Sequence, residues 1–132
     1  MKTIKFVMVW FVIISSALFV ACAFDLAHLK YAPTTLTECN EECPTFTLKE
    51  ELVLNNLPCG YNRKLKENSE WKKVGATEFG DVYKSLNQCL TLECSNVFEA
   101  YLVLNGNDIT GFYLPVEDGY VALKNPIKIT KK

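Results

Sequence analysis

The charge balance of this 132-residue chain argues against a nucleic-acid partner. The chain carries 14 basic and 15 acidic side chains and a single histidine. Its first 21 residues hold two lysines and no acid, which leaves 12 basic and 15 acidic side chains in the remaining 111 residues. A surface that binds phosphate backbones needs an excess of basic side chains, so we expect no nucleic-acid partner. The 111 residues suffice for one domain with its own core.

The N-terminal segment has the three parts of an export signal. Lys2 and Lys5 form a short basic head, residues 6–24 carry no charge, and small residues lie near the end of this run. A basic head, an apolar stretch and small residues at its exit are typical of segments that direct export. The sequence therefore predicts that the protein leaves the cytosol.

The end of the apolar run resembles the lipobox of bacterial lipoproteins. Val20 and Ala21 precede Cys22, and Phe19 occupies the position that usually holds leucine. The resemblance implies that residues 1–21 are a signal peptide. It also implies that the thiol of Cys22 receives lipid, such as palmitate, and becomes the mature N-terminus. The membrane would then be a partner through this lipid anchor.

The residue after Cys22 bears on location. In the lipoproteins that this segment resembles, an aspartate at that position tends to retain the protein in the inner membrane, whereas this chain has Ala23. The resemblance therefore implies a cell-envelope protein of the outer membrane that faces the periplasm.

Two other interpretations of this segment stay open. Ala21-Cys22-Ala23 also matches an A-x-A cleavage site, and cleavage after Ala23 would release a secreted or periplasmic protein. Residues 6–24 also approach the ~20 apolar residues that an uncleaved membrane-spanning helix needs.

The segment between the apolar run and the domain is predicted to be a tether. Pro33 and the threonine-rich run that follows it would end any short helix started after the apolar segment. We therefore expect a lipidated N-terminus and tether over residues 22–38 and a domain over residues 39–132.

The domain has a period-two pattern of apolar residues, which indicates β-strands. Residues 51–54 are ambiguous, because Thr47 and Glu50 could form a helix capping box. Asn55 and Pro58 would stop such a helix within about two turns, so a strand is favoured. We predict an all-β fold, a small antiparallel barrel or sandwich of about six to seven short strands. Further candidate strands lie at 45–48, 61–66, 71–74, 81–84, 120–123 and 127–130.

A hairpin is predicted in the C-terminal half. Asn105-Gly106 lies between two apolar runs and favours the positive φ angles of a type I′ turn. A turn centred on this dipeptide pairs Leu102 with Ile109, which is the register we expect. A turn centred on Gly106-Asn107 would pair Leu102 with Gly111 instead.

The second face of this hairpin is more apolar than a solvated face should be. It carries Tyr101 and Phe112, and Glu99 lies on the same face. Either a second layer covers this face, for which residues 71–79 are the candidate, or it is exposed as a binding patch of Tyr101, Phe112 and Glu99. A covering layer is the more ordinary arrangement.

Five cysteines follow Cys22, and disulfides are the default in an exported protein. Because five is an odd number, at least one should stay free or pair between chains. Two prolines bracket runs that could return side by side, so we expect Cys59 to pair with Cys39 or Cys43. The five cysteines are Cys39, Cys43, Cys59, Cys89 and Cys94.

The sequence contains no convincing catalytic set. His28 is the only histidine and lies in the predicted tether, so a nucleophile in the domain lacks a base. The cysteine spacings do not match a zinc site. Adjacent acids such as Glu117-Asp118 usually form a solvated surface. We therefore expect no enzyme activity, no metal and no cofactor.

These observations together predict a function class. We expect a lipid-anchored bacterial cell-envelope protein with a small non-enzymatic binding or protective β domain, and an envelope protein is the partner that this implies. The protective role rests on analogy of fold alone. One alternative is a secreted soluble protein or inhibitor. The other, ranked last, is a cell-wall sugar hydrolase with two facing carboxylates.

Overall fold

The computed structural model describes residues 28–132, which form strands and no helix. The all-β prediction is confirmed for this part of the chain, whereas the predicted signal peptide, Cys22 and Ala23 lie outside the described residues. Residues 28–132 contain no helix long and apolar enough to cross a membrane. In chain order the strands are β1 (Ala32–Pro33), β2 (Thr37–Glu38), β3 (Thr45–Thr47), β4 (Leu52–Leu54), β5 (Arg63–Leu65), β6 (Glu70–Thr77), β7 (Gly80–Ser85), β8 (Thr91–Glu93), β9 (Val97–Glu99), β10 (Tyr101–Asn105), β11 (Asp108–Leu114) and β12 (Gly119–Lys128).

Eight strands form one antiparallel sheet that curls into a half-barrel. The order is β1-β12-β11-β10-β7-β6-β2, and β3 also pairs with β6. Beyond β12 the chain returns to the region of β3, where Lys131 pairs with Leu48. The amide of Lys132 donates to the carbonyl oxygen of Thr47 over 2.9 Å. These contacts bring the C-terminal end of the curled sheet to its other end.

The remaining strands form two small hairpins. β4 pairs with β5, and β8 pairs with β9, each as a separate two-stranded sheet. Residues 51–54, for which a helix was the alternative, therefore contain a strand, as we predicted.

Two parts of the sheet differ from the predicted outline. β12 spans both of the strands predicted at 120–123 and 127–130, because its pairing with β11 shifts register there and then resumes. Proline is tolerated at such an irregularity. The predicted tether, residues 22–38, contributes β1, which pairs with Gly119 and Tyr120, and β2, which pairs with β6.

The curled sheet separates two apolar clusters. Trp71 and Phe112 lie in the inner core, and neither side chain is exposed. The indole N–H of Trp71 donates to the hydroxyl oxygen of Ser69 over 3.0 Å, so its polar group is satisfied inside the core. Burial of such large aromatic side chains contributes a major part of the stability of a small domain. The outer cluster consists of Val82, Val103, Tyr113 and Tyr120, with Leu36, Val74, Phe79 and Tyr101 packed against it.

The turn between β10 and β11 is not centred where we expected. Asn105 pairs with Asp108, so Gly106 and Asn107 are the two turn residues. Gly106 has a φ of 64°, and glycine at the first central position is characteristic of type II′ turns. The alternative centre of the turn is therefore the one observed.

The register farther along this hairpin differs from both expectations. The pairing of β10 with β11 shifts at Thr110, which is an extra residue on β11. Leu102 consequently lies opposite Phe112, and neither Ile109 nor Gly111 is its partner. A one-residue shift exchanges the two faces of a strand, so our assignment of Phe112 to the same face as Tyr101 was wrong.

Two glycines provide a matched stability test of this hairpin. A Cβ atom at Gly111 would run into the carbonyl oxygen of Val121 and the ring of Tyr120. We expect Gly111→Ala to lower the free energy of unfolding by about 1–3 kcal/mol, because backbone must move. A Cβ at Gly106 meets no atom within 4 Å, so Gly106→Ala should cost only about 1 kcal/mol for its positive φ. Urea denaturation measures both, and a larger loss at Gly106 would contradict the observed register.

Candidate functional site

The structure brings together only two of the three residues of the predicted binding patch. Phe112 is fully buried in the inner core, so it cannot contribute to an exposed surface. Tyr101 is half-buried beside the outer cluster, and Glu99 is exposed on β9. The residues 71–79 that we named as a candidate cover supply Val74 and Phe79 to the outer cluster, while Trp71 lies in the inner core.

Glu99 and Tyr101 do line one groove, with a volume of about 330 Å³. Lys84 also lines it, and the ammonium nitrogen of Lys84 lies 5.7 Å from the centroid of the Tyr101 ring. Leu86 is 54% exposed at the same groove. The groove therefore combines one acid, one base, an aromatic ring and an exposed aliphatic side chain.

The expected disulfide partner of Cys59 was wrong. Cys59 pairs with Cys94, and Cys39 pairs with Cys43. Cys89 is the free cysteine among the described residues, and it is exposed in the groove. The general expectation of disulfides with one cysteine left over is thus confirmed for this part of the chain.

The Cys59–Cys94 bond joins the two small hairpins. Arg63 of β5 reaches across to β8, where its guanidinium donates to the carbonyl oxygen of Thr91 over 3.0 Å. The same side chain forms an ion pair of 2.9 Å with Glu93. Sequence spacing could not reveal the pairing, because it depends on the packing of one hairpin against the other.

A second cleft lies at one end of the large sheet and has a volume of about 550 Å³. Three acids line it: Glu78 from the β6–β7 turn, and Glu117 and Asp118 from the β11–β12 turn. Thr34, just after β1, also lines the cleft beside Asp118, since its amide donates to the carbonyl oxygen of Asp118 over 2.9 Å. The sequence predicts an ordinary solvated surface for Glu117-Asp118, because nothing in it places Glu78 and Thr34 beside them.

Asp118 is held in place by Tyr113. The Tyr113 hydroxyl donates to an oxygen of the Asp118 carboxylate over 2.6 Å. Burial, followed by this hydrogen bond, raises the pKa of Tyr113 to about 12. Tyr113 therefore stays neutral and keeps donating to Asp118 at ordinary pH.

The ring of His28 lies near the hydroxyl of Ser95. Nδ1 of His28 lies 3.5 Å from Oγ of Ser95, at the long limit of hydrogen bonding, and both residues are exposed. Within residues 28–132 there is no group of three His, Cys, Asp or Glu side chains arranged to hold a metal ion.

No protein-family model, no curated protein and no solved structure matches the chain.

Removal of each disulfide should reveal the difference between their loops. Cys59 and Cys94 are 35 residues apart, so the double alanine variant should lose about 4 kcal/mol of unfolding free energy on the chain-entropy model. Cys39 and Cys43 are four residues apart, and their double alanine variant should lose about 2 kcal/mol. Urea denaturation of both variants gives the comparison. Non-reducing peptide maps should recover Cys89 as a thiol, and a bond from Cys59 to Cys39 would refute the pairing.

Tyr113 should make stability fall in alkaline solution. Its pKa is raised from 10.0 to about 12, so the folded protein holds this proton more tightly than the unfolded chain does. The contribution is complete below pH 10.0 and is lost as the pH rises towards 12. Tyr113→Phe should lose less stability than wild type over this window, as measured by urea midpoints. Tyr61→Phe, at a side chain that is 76% exposed, is the control and should behave as wild type.

Proposed function

We propose that the protein is a lipid-anchored protein of the bacterial cell envelope whose β domain binds a partner without catalysing a reaction. The observation that carries the proposal is a lipobox-like Ala21-Cys22 directly ahead of a domain with two disulfides. Disulfides persist in the oxidising environment outside the cytosol, which is where an export signal would deliver the chain.

The packing of β1 and β2 supports a short connection to the membrane. Because β1 pairs with β12, only ten residue steps separate Cys22 from the first strand. Ten steps reach at most about 35 Å at full extension. A lipid on Cys22 would therefore keep the domain close to the membrane surface, where an envelope partner could meet it.

The cross-links of the domain hold the groove in a fixed shape, which favours binding. The two ends of the curled sheet pair with each other, and a disulfide ties the two small hairpins together. The groove of Glu99 and Tyr101 therefore has a rigid frame. Rigid surfaces with an aromatic side chain and an exposed aliphatic neighbour lose little entropy on association. This groove is the surface we assign to a protein partner of the envelope.

Metabolic labelling tests the anchor. Cells that express the wild-type chain with labelled palmitate should yield a labelled protein that partitions with membranes, because the thiol of Cys22 carries the lipid. Cys22→Ser should abolish the label and release the protein from the membrane fraction. Cys89→Ser is the matched control, since Cys89 is free and exposed, and it should retain both properties.

Mass spectrometry of the N-terminal peptide separates the alternatives. A lipidated Cys22 at the mature N-terminus supports the proposal. A soluble wild-type protein that begins at Phe24 would contradict it and would identify the secreted form cleaved after Ala23.

A further inference from the structure

The cleft beside Thr34 is built from three separate parts of the chain. The β6–β7 turn supplies Glu78, the β11–β12 turn supplies Glu117 and Asp118, and the segment after β1 supplies Thr34. These parts hold one another in place: the Thr34 amide donates to the backbone of Asp118, and the ring of Phe79, next to Glu78, stacks on a tyrosine ring of β12 with centroids 4.0 Å apart. The cleft is therefore a feature of the tertiary structure and not of one flexible loop.

Two buried oxygen atoms in the walls of this cleft have no partner. Thr34 is only 9% exposed, and its hydroxyl oxygen makes no hydrogen bond. One carboxylate oxygen of Glu117 is likewise buried and unbonded. Within residues 28–132 these are the buried side-chain oxygens that lack a partner, and both residues line the same cleft. Since buried polar atoms are almost always hydrogen-bonded, a pair of exceptions at one place indicates a missing donor.

The charge of the cleft defines the donor. Its lining includes Glu78, Glu117 and Asp118 and no basic side chain. None of the ion pairs formed within residues 28–132 involves these three acids. Negative charge without a compensating cation attracts a positively charged ligand, and oxygen acceptors require that the ligand carry hydrogen-bond donors.

We propose that this cleft binds the guanidinium or ammonium group of a basic side chain presented by a protein partner. The proposal goes beyond the proposed function, because it adds a second binding surface that shares no residue with the groove of Glu99 and Tyr101. A guanidinium carries five N–H donors in a planar fork, which can serve several acceptors at once. A metal ion fits less well, since no three acidic, histidine or cysteine side chains within residues 28–132 are arranged to hold one.

Peptide titration tests the proposal on the full protein, purified in detergent so that any anchor stays in solution. The probe is a blocked tripeptide, Gly-Arg-Gly, and its partner is the same peptide with citrulline, which keeps the shape but removes the charge. We expect saturable binding of the arginine peptide by calorimetry at low salt, weakened at high salt, with affinity at least about tenfold higher than for the citrulline peptide. Equal affinity for the two peptides, or no saturable binding of either, would overturn the proposal.

Substitutions locate the site. Glu117→Gln should lower the affinity for the arginine peptide by about tenfold, because it removes charge at the unpartnered oxygen. Thr34→Val should lower it by about fivefold without lowering the thermal midpoint, since it removes only an oxygen that has no partner. Glu67→Gln, at an exposed acid of the β5–β6 turn outside the cleft, is the matched control and should bind as wild type. An equal loss in this control would place the binding elsewhere and refute the assignment.

The result can be separated from the test of the anchor. The titration does not depend on where the protein resides, so its failure leaves the palmitate experiment intact. Conversely, a protein without lipid on Cys22 that still discriminates the two peptides would retain the cleft assignment and lose only the anchor.

Discussion

The bulge at Thr110 determines which side chains of β11 reach the inner core. Before the bulge Ile109 points inward, and after it Phe112 does so, although an uninterrupted strand would send these two residues to opposite faces. The same shift turns Tyr113 outward. The backbone disturbed by the bulge is satisfied locally, because the Tyr120 hydroxyl donates to the carbonyl oxygen of Thr110 over 3.0 Å.

Because of this arrangement, the two faces of the sheet have different roles. The inner face fills the half-barrel with side chains such as Trp71 and Phe112. The outer face becomes an aromatic layer in which Tyr113 positions Asp118 and Tyr120 receives the ring of Phe79. The acidic cleft depends on this layer, because both turns that form its walls are attached to it.

A similar shift in β6 completes the curvature. The pairing of β6 with β7 changes register between Lys73 and Gly75, and the intervening Val74 packs against the outer cluster. Bulges bend the strand that carries them, so one in β6 and one in β11 help to curl the sheet until Lys131 meets Leu48. The groove of Glu99 and Tyr101 and the acidic cleft share no lining residue, so they are two separate surfaces of this curled sheet.

The sequence by itself determined the all-β class, the approximate places of most strands and the presence of disulfides, because alternation, turn residues and cysteine count are local or compositional properties. It did not determine the register of β10 against β11, since a bulge at Thr110 depends on how the neighbouring strands pack and not on a local motif. The sequence did not predict the bond between Cys59 and Cys94, because these residues lie 35 positions apart and come into contact only when two hairpins dock. The acidic cleft also depends on the tertiary structure. Thr34, Glu78 and Glu117 become neighbours only after the sheet has folded, since contacts between distant segments are created by tertiary packing.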